Sequence, residues 1–418
     1  MTRLQTISAS DFTPDRTSGI DSATLSAAGD IVSSVRTGGE QALRRYAEQF
    51  GERVAGEALL LGPDVMQAAL DGLDMNSRAV LERAHTRIRD FAAAQKRSLK
   101  ALDVEIEGGR AGHTIEPMER AGCYVPGGRY PLPSTALMTV TSAREAGCAT
   151  VVAASPCPGP EVLAACAVAG ADGVLAVGGA HAIAALAYGV GLEAPMDIIV
   201  GPGNRWVTAA KRLVSGDVAI DMLAGPSELL VLADGTADPA LIAADLLAQA
   251  EHDTDARPYL VTDTPELIEQ VNAALEKQLA ELDTAATAEV ALRNGAAILT
   301  SDLEQSIAVT DRCAPEHLEV HTRDAREVAS RIRHAGAVFV GSASAEVFGD
   351  YGAGPNHTLP TGGTARTTGG LSVLTFLRVR TWLEVDAAAS RTLAGDVAAL
   401  ADMEGLAGHA SSCRVRSG

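Results

Sequence analysis

An acid and an imidazole stand side by side in Cys313-Ala314-Pro315-Glu316-His317-Leu318. Adjacent carboxylate and imidazole groups can take and return protons in one place. Pro315 fixes its own φ and biases Ala314 towards extended backbone, so the pair leaves a turn in a set direction. His317, Leu318, Glu319 and Val320 then alternate polar and apolar, which predicts a strand with Glu316 and His317 at its mouth. The same dipeptide is common on solvated surfaces, so its meaning depends on what the rest of the chain brings to it.

Other polar residues of the right type are spread along the chain. Gln249 and His252 lie three apart near the end of a helix predicted over 239–252, which puts them on one face. They are either two ligands of a zinc-like ion or a helix-end histidine in solvent beside an amide. Asp350 sits in the glycine-rich run Phe348-Gly349-Asp350-Tyr351-Gly352-Ala353-Gly354-Pro355-Asn356-His357, as a site residue or as the start of an Asx-turn. Glu404 and His409 are separated by an offset that parts them on a continuous helix, but Gly405 and Gly408 interrupt it, so the two either converge or stay at the surface. Ser227, in Gly225-Pro226-Ser227-Glu228, lacks the flanks of a nucleophile elbow and reads as a polar contact or a turn residue. Gly201-Pro202-Gly203-Asn204 offers open backbone where a strand meets a helix, a seat for an anion. Gly127-Gly128 and Gly178-Gly179-Ala180 are similar turns, and none completes a dinucleotide fingerprint. Six cysteines show no CxxC spacing, which argues against a disulfide framework or a thiolate zinc site. Cys123 and Cys148 lie among apolar neighbours without an adjacent base, as buried, inert thiols do.

The elements that must position these groups follow a clear rhythm. Residues 1–22 read as a polar lead-in, and amphipathic helices split by Gly38-Gly39 follow, with further helical patterns over 64–72 and 76–98. Beyond Ile106 come short extended pieces, ending in Gly122-Cys123-Tyr124-Val125-Pro126-Gly127-Gly128. Apolar strands then alternate with helices through 125–227 and again through 228–370. Continuous apolar strands between helices predict parallel sheets covered on both faces, so the fold class is α/β with two doubly wound, Rossmann-like units, a helical N-terminal section and a C-terminal helical tail. The expected division joins 23–124 with 228–370, carrying the pair, and sets 125–227 apart as the second unit. Ligands are expected beyond the carboxyl ends of the strands. In the tail, from 371, Leu393, Val397, Leu400, Met403 and Leu406 form an apolar stripe that needs a partner surface.

Composition narrows the function classes. The 418 residues are 47% hydrophobic and only 3% aromatic, with a formal net charge of −19. That charge argues against nucleic acid or an anionic membrane as partner. No signal peptide is read at the N-terminus, and the apolar runs are interrupted before the ~20 residues that span a bilayer, so a cytoplasmic protein is expected.

Assembled in order, the stretches Tyr124-Val125-Pro126-Gly127-Gly128, Val177-Gly178-Gly179-Ala180, Gly201-Pro202-Gly203-Asn204, Ala224-Gly225-Pro226-Ser227-Glu228, Gln249-Ala250-Glu251-His252, Pro315-Glu316-His317-Leu318 and Gly354-Pro355-Asn356-His357-Thr358-Leu359-Pro360-Thr361 resemble the histidinol dehydrogenases over nearly the whole chain. The resemblance implies a zinc ion held by Gln249, His252, Asp350 and His409. It implies contacts to the substrate, histidinol, from those residues with Ser227, His317, His357 and Glu404, and an NAD groove lined by Tyr124, His181 and Asn204. It further implies a homodimer with an exchanged tail, so that Glu404 and His409 complete the partner's site, and a four-electron oxidation to histidine with two NAD+. His317 would act as base and Glu316 would activate water. His181 stands where the family usually has glutamine, which points to weaker or altered NAD binding. The other readings are a dehydrogenase of the same scaffold acting on another polyol or amino alcohol, and a non-redox binding module that keeps the zinc and the groove.

Overall fold

The computed structural model describes residues 3–16, 20–127 and 131–417; Gly128, the last residue of the expected turn after Tyr124, lies outside them. The apolar run from Leu229 to Ala233 becomes the central strand Glu228–Ala233 of a six-stranded, all-parallel sheet in the order Gln5–Ser8, Ala296–Leu299, Arg257–Thr262, Glu228–Ala233, His317–His321, Ala337–Val340. Its inner strands are buried on both faces. Leu229 and Val231 pack under helix Pro239–Ala250, and Leu230 and Leu232 join Leu318 and Val320 on the opposite face.

A second six-stranded sheet runs Leu60–Leu61, Gly173–Leu175, Thr150–Ala154, Arg120–Tyr124, Ile198–Val200, Ala219–Ile220, parallel except at its first pair. Apart from its earliest strand, which lies at an edge, each sheet begins in its middle and is wound outward in both directions, consistent with the doubly wound units that the sequence rhythm predicted. A small antiparallel sheet of Leu377–Val385, Gly109–Pro117 and Leu102–Ile106 leads into the tail.

The structure departs from several sequence expectations. The lead-in 1–22 supplies Gln5–Ser8, the edge strand of the first sheet, paired with Ala296–Leu299. The N-terminal helices do not join the first sheet. Val35 and Leu43 pack with Ile183 and Val207, and Ile88 with Val140 and Val151, all around the second sheet. Arg120–Tyr124, also assigned to the first unit, is the central strand of the second. Amphipathic periodicity reports which face of a helix is apolar, not which sheet will cover it. The kink at Gly39 falls where expected, with φ 58° and ψ −146° inside Ser22–Gln49.

The tail forms strand Leu377–Val385 and helices Ala387–Met403 and Ala407–Arg414, the two helices parted at Gly405. The residues its two helices bury are small alanines, Ala389, Ala394, Ala398, Ala401 and Ala410, while Val397, Leu400, Met403 and Leu406 of the predicted stripe are exposed. Among the described residues, no helix is long and apolar enough to cross a membrane.

Candidate active site

Helix Leu303–Cys313 ends at Ala314, whose amide caps Thr310 O at 2.9 Å. Ala314 is not extended: it is left-handed, with φ 52° and ψ 60°. The cap outweighs the bias of the following proline, and it reverses the chain within two residues so that strand His317–His321 can enter the sheet. Glu316 and His317 therefore sit at the amino end of their strand, beside the amino end of Glu228–Ala233. The pair thus lies at the amino edge of this sheet, not at the carboxyl edge where ligands were expected.

Both side chains are buried. Glu316 Oε2 accepts from Glu228 N at 2.9 Å and lies 3.8 Å from His317 Nδ1, which donates to Glu228 O at 3.2 Å. Burial raises the Glu316 carboxyl to about 7 against the opposing pull of His317. Burial by itself would depress the His317 imidazole, but the carboxylates of Glu316, Glu346 and Asp350 override it and hold it at about 10.

Asp350, at the end of helix Glu346–Asp350, is the hub. Its Oδ1 lies 3.6 Å from His317 Nε2 and its Oδ2 3.6 Å from His252 Nε2. His357 donates from Nδ1 to Asp350 O at 2.9 Å and places Nε2 3.2 Å from Thr135 Oγ1, so it supports Asp350 through the backbone. Burial pushes the Asp350 carboxyl up, but His317 more than reverses this and keeps it below its ordinary value. Gln249 is buried, and both atoms of its amide lack a hydrogen-bond partner. His252 lies past the helix, which stops at Ala250, because Asp253 Oδ1 draws Asp255 N into a turn at 2.9 Å. An orphaned buried amide at the end of the helix that leads to His252, and a His252 imidazole 3.6 Å from the Asp350 carboxylate, are donors of the type a metal ion of the zinc class takes.

The fourth expected ligand is not brought there by this chain. Among the described residues, no hydrogen bond or ion pair joins His409 or Glu404 to the other site residues, and both are exposed on the tail. Ser227 is half-buried at the same edge, its carbonyl accepting from Arg257 N at 2.9 Å.

Tyr124, His181 and Asn204 gather at the carboxyl edge of the second sheet, where the winding reverses next to Arg120–Tyr124. That is the position at which doubly wound sheets take dinucleotides. Gly201 is held at φ 111° there, and an added Cβ would stand 2.1 Å from Tyr124 O, so only glycine lets the two turns touch. Asn204 Oδ1 caps the next helix, accepting from Trp206 N at 3.0 Å. Tyr124 Oη accepts from Gly179 N at 3.1 Å, and burial pushes its phenol up to about 12. His181 is buried, with Nε2 2.7 Å from Glu52 Oε2 and its ring stacked on Phe50. Glu52 also takes the amide of Gly178 at 3.1 Å. Position and open backbone fit a dinucleotide; His181 itself faces Glu52.

Sequence reasoning missed four acids and a histidine. Glu228, raised to about 7 by burial despite Arg257 at 3.2 Å, backs Glu316. Glu346 lies 3.8 Å from His317 Nδ1, and burial raises it well above the carboxylate range. Asp245, Glu319 and His321 cluster behind them. The polar positions of the alternating strand pattern were the available signal, but alternation ordinarily marks a solvated face.

A buried acid–base pair with a metal-type ligand set beside a doubly wound sheet defines an α/β enzyme. The histidinol dehydrogenase family model matches residues 15–417. Histidinol dehydrogenase of Thermus thermophilus is 46% identical over 389 residues, covering 92% of this chain and 93% of its own. That of Haloarcula marismortui is 44% identical over 408 residues, covering 96% and 95%. The crystal structure of histidinol dehydrogenase from Elizabethkingia anophelis superposes with a TM-score of 0.92 at 32% identity, covering 100% of this chain and 98% of that one. The chain belongs to the histidinol dehydrogenase family, which comprises NAD-dependent oxidoreductases, and so it is an enzyme of the alcohol and aldehyde dehydrogenase kind.

Proposed function

We propose that the protein oxidises L-histidinol to L-histidine through histidinaldehyde, with two NAD+ in sequence, and that Glu316 and His317 carry the proton chemistry. The observation that supports this most is the buried Glu316–His317 pair set against Asp350. Gln249, His252 and Asp350, with His409 of a second copy, would hold zinc. Bound there, zinc would share the charge of Asp350 and orient the substrate by its amine and imidazole. NAD+, bound along Tyr124, His181 and Asn204, would accept hydride.

His317 would take the alcohol proton in its neutral form; the carboxylates around it favour the imidazolium, and zinc sharing the charge of Asp350 would weaken that hold and free the ring to act as base. Glu316, titrating near neutrality, then takes a proton from the water that adds to the aldehyde. Ser227, His357 and Glu404 would contact substrate or position its ligands. The exposed stripe Val397, Leu400, Met403 and Leu406 supports a homodimer with an exchanged tail. A biosynthetic enzyme of this kind would act in the cytoplasm, without nucleic acid or membrane partners.

The test is to follow NADH with histidinol, NAD+ and zinc-loaded protein. Two NADH per histidinol is the expected outcome. NADH formed only with other polyols or amino alcohols would favour a relative of the same scaffold, and none with any alcohol despite tight zinc would favour a binding module.

A further inference from the structure

The polar stripe on strand His317–His321 continues beyond His317. Side chains 317, 319 and 321 share one face. Across the ladder their partners are Leu229, Val231 and Ala233, which belong to the apolar core under helix Pro239–Ala250. Glu319 and His321 thus project into hydrocarbon surroundings, and Asp245 of that helix meets them there. Relative exposures are 0% for Glu319, 3% for His321 and 9% for Asp245.

One ligand atom from each lies within 4.8 Å of the others, and Glu319 Oε2 is 3.4 Å from His321 Nε2. Glu319 Oε1 is satisfied by Glu346 N at 2.7 Å. Glu319 Oε2 and both ring nitrogens of His321 have no hydrogen-bond partner. Among the described residues, no lysine or arginine forms an ion pair with any of the three; the charges acting on Asp245 are those of Glu319 and His321. Two carboxyl groups against one imidazole leave an excess of acid in a dry place, and buried charges are normally paired or bound to metal.

We propose that Asp245, Glu319 and His321 hold a second divalent metal ion, of the zinc class that accepts imidazole and carboxylate ligands together. Two ligands about 2.0–2.1 Å from a tetrahedral ion stand roughly 3.4 Å apart, which is the spacing of Glu319 Oε2 and His321 Nε2. Asp245 precedes Gln249 by one helical turn on the same helix, so this ion sits one turn deeper than the Gln249, His252 and Asp350 site. Its role is positional: it fastens the helix that carries Gln249 to the strand that carries His317. The alternative for the cluster is a proton shared between Asp245 and Glu319, in keeping with the Asp245 carboxyl being raised to about 7 by burial and by Glu319.

The experiment strips the full-length protein of metal, titrates it with Zn2+ by calorimetry, and measures bound zinc by mass spectrometry after gel filtration. The expected result is two zinc ions per chain, falling to one in His321→Gln, to one in His252→Ala, and to none in the double variant. One zinc per chain that survives His321→Gln and is lost in His252→Ala would overturn the proposal in favour of the shared proton. One zinc lost in His321→Gln but kept in His252→Ala would support the cluster and sink the zinc assignment made for the active site. Should His321→Gln not fold, the wild-type titration decides: a break at two equivalents supports the second ion, and a break at one overturns it.

Discussion

Glu316 and His317 differ in what their surroundings do to them. Glu316 has one carboxylate oxygen tied to a backbone amide and its titration moved to about 7. A base must be deprotonated to accept a proton from water, so aldehyde oxidation should rise as pH increases through about 7. In Glu316→Gln that half-reaction should drop by about 100-fold or more and lose this pH step, with alcohol oxidation impaired less. Equal losses in separately measured half-reactions would remove Glu316 from the water step. His181 makes a second prediction at this scale. Its imidazole is committed to Glu52 at 2.7 Å, where an uncharged glutamine could turn towards a cofactor. His181→Gln should lower KM for NAD+ about 5-fold, the worth of roughly 1 kcal/mol of hydrogen bonding, with little change in kcat. A raised KM would show that the Glu52–His181 pair itself shapes the groove.

At the scale of elements, the turn from helix Leu303–Cys313 into strand His317–His321 is the device that buries the pair. It depends on Ala314 adopting φ 52°, a conformation that costs a residue with a Cβ about 1–2 kcal/mol. Ala314→Gly relieves this and loses part of the gain to the greater freedom of the unfolded chain. A net stabilisation of about 0.5 kcal/mol is expected in denaturant unfolding, with the site intact; destabilisation would mean that the alanine methyl in the core outweighs the strain. Helix Pro239–Ala250 matters in the same way, because Asp245 and Gln249 turn one polar edge to the strand while Ile242, Ala243 and Leu246 hold the helix on the core.

For the whole molecule, the tail is the part that a single chain leaves unexplained. Its helices bury alanines and present Val397, Leu400 and Met403 to solvent, and they leave Glu404 and His409 unattached to the site. If tails are exchanged, mixed dimers of His409→Ala and His317→Ala subunits contain one site with neither defect. About half of the wild-type activity per mixed dimer is expected, given that separate sites act independently. Verified mixed dimers without activity would count against exchange.

The sequence by itself determined the rhythm of strands and helices, the kink at Gly39, the exposed stripe of the tail and the family, because periodicity and glycine-rich turns are local properties of the chain. Tertiary structure decided where the pieces went. It moved helices 22–97 onto the second sheet and turned the lead-in into an edge strand, since an apolar face does not specify which surface will cover it. It also turned the alternation His317-Leu318-Glu319-Val320-His321 inward on both sides. Alternation fixes which side chains share a face, but whether that face meets water or a packed helix depends on what the rest of the chain lays upon it. Here it is helix Pro239–Ala250, and the acids and imidazoles beneath it make up the site.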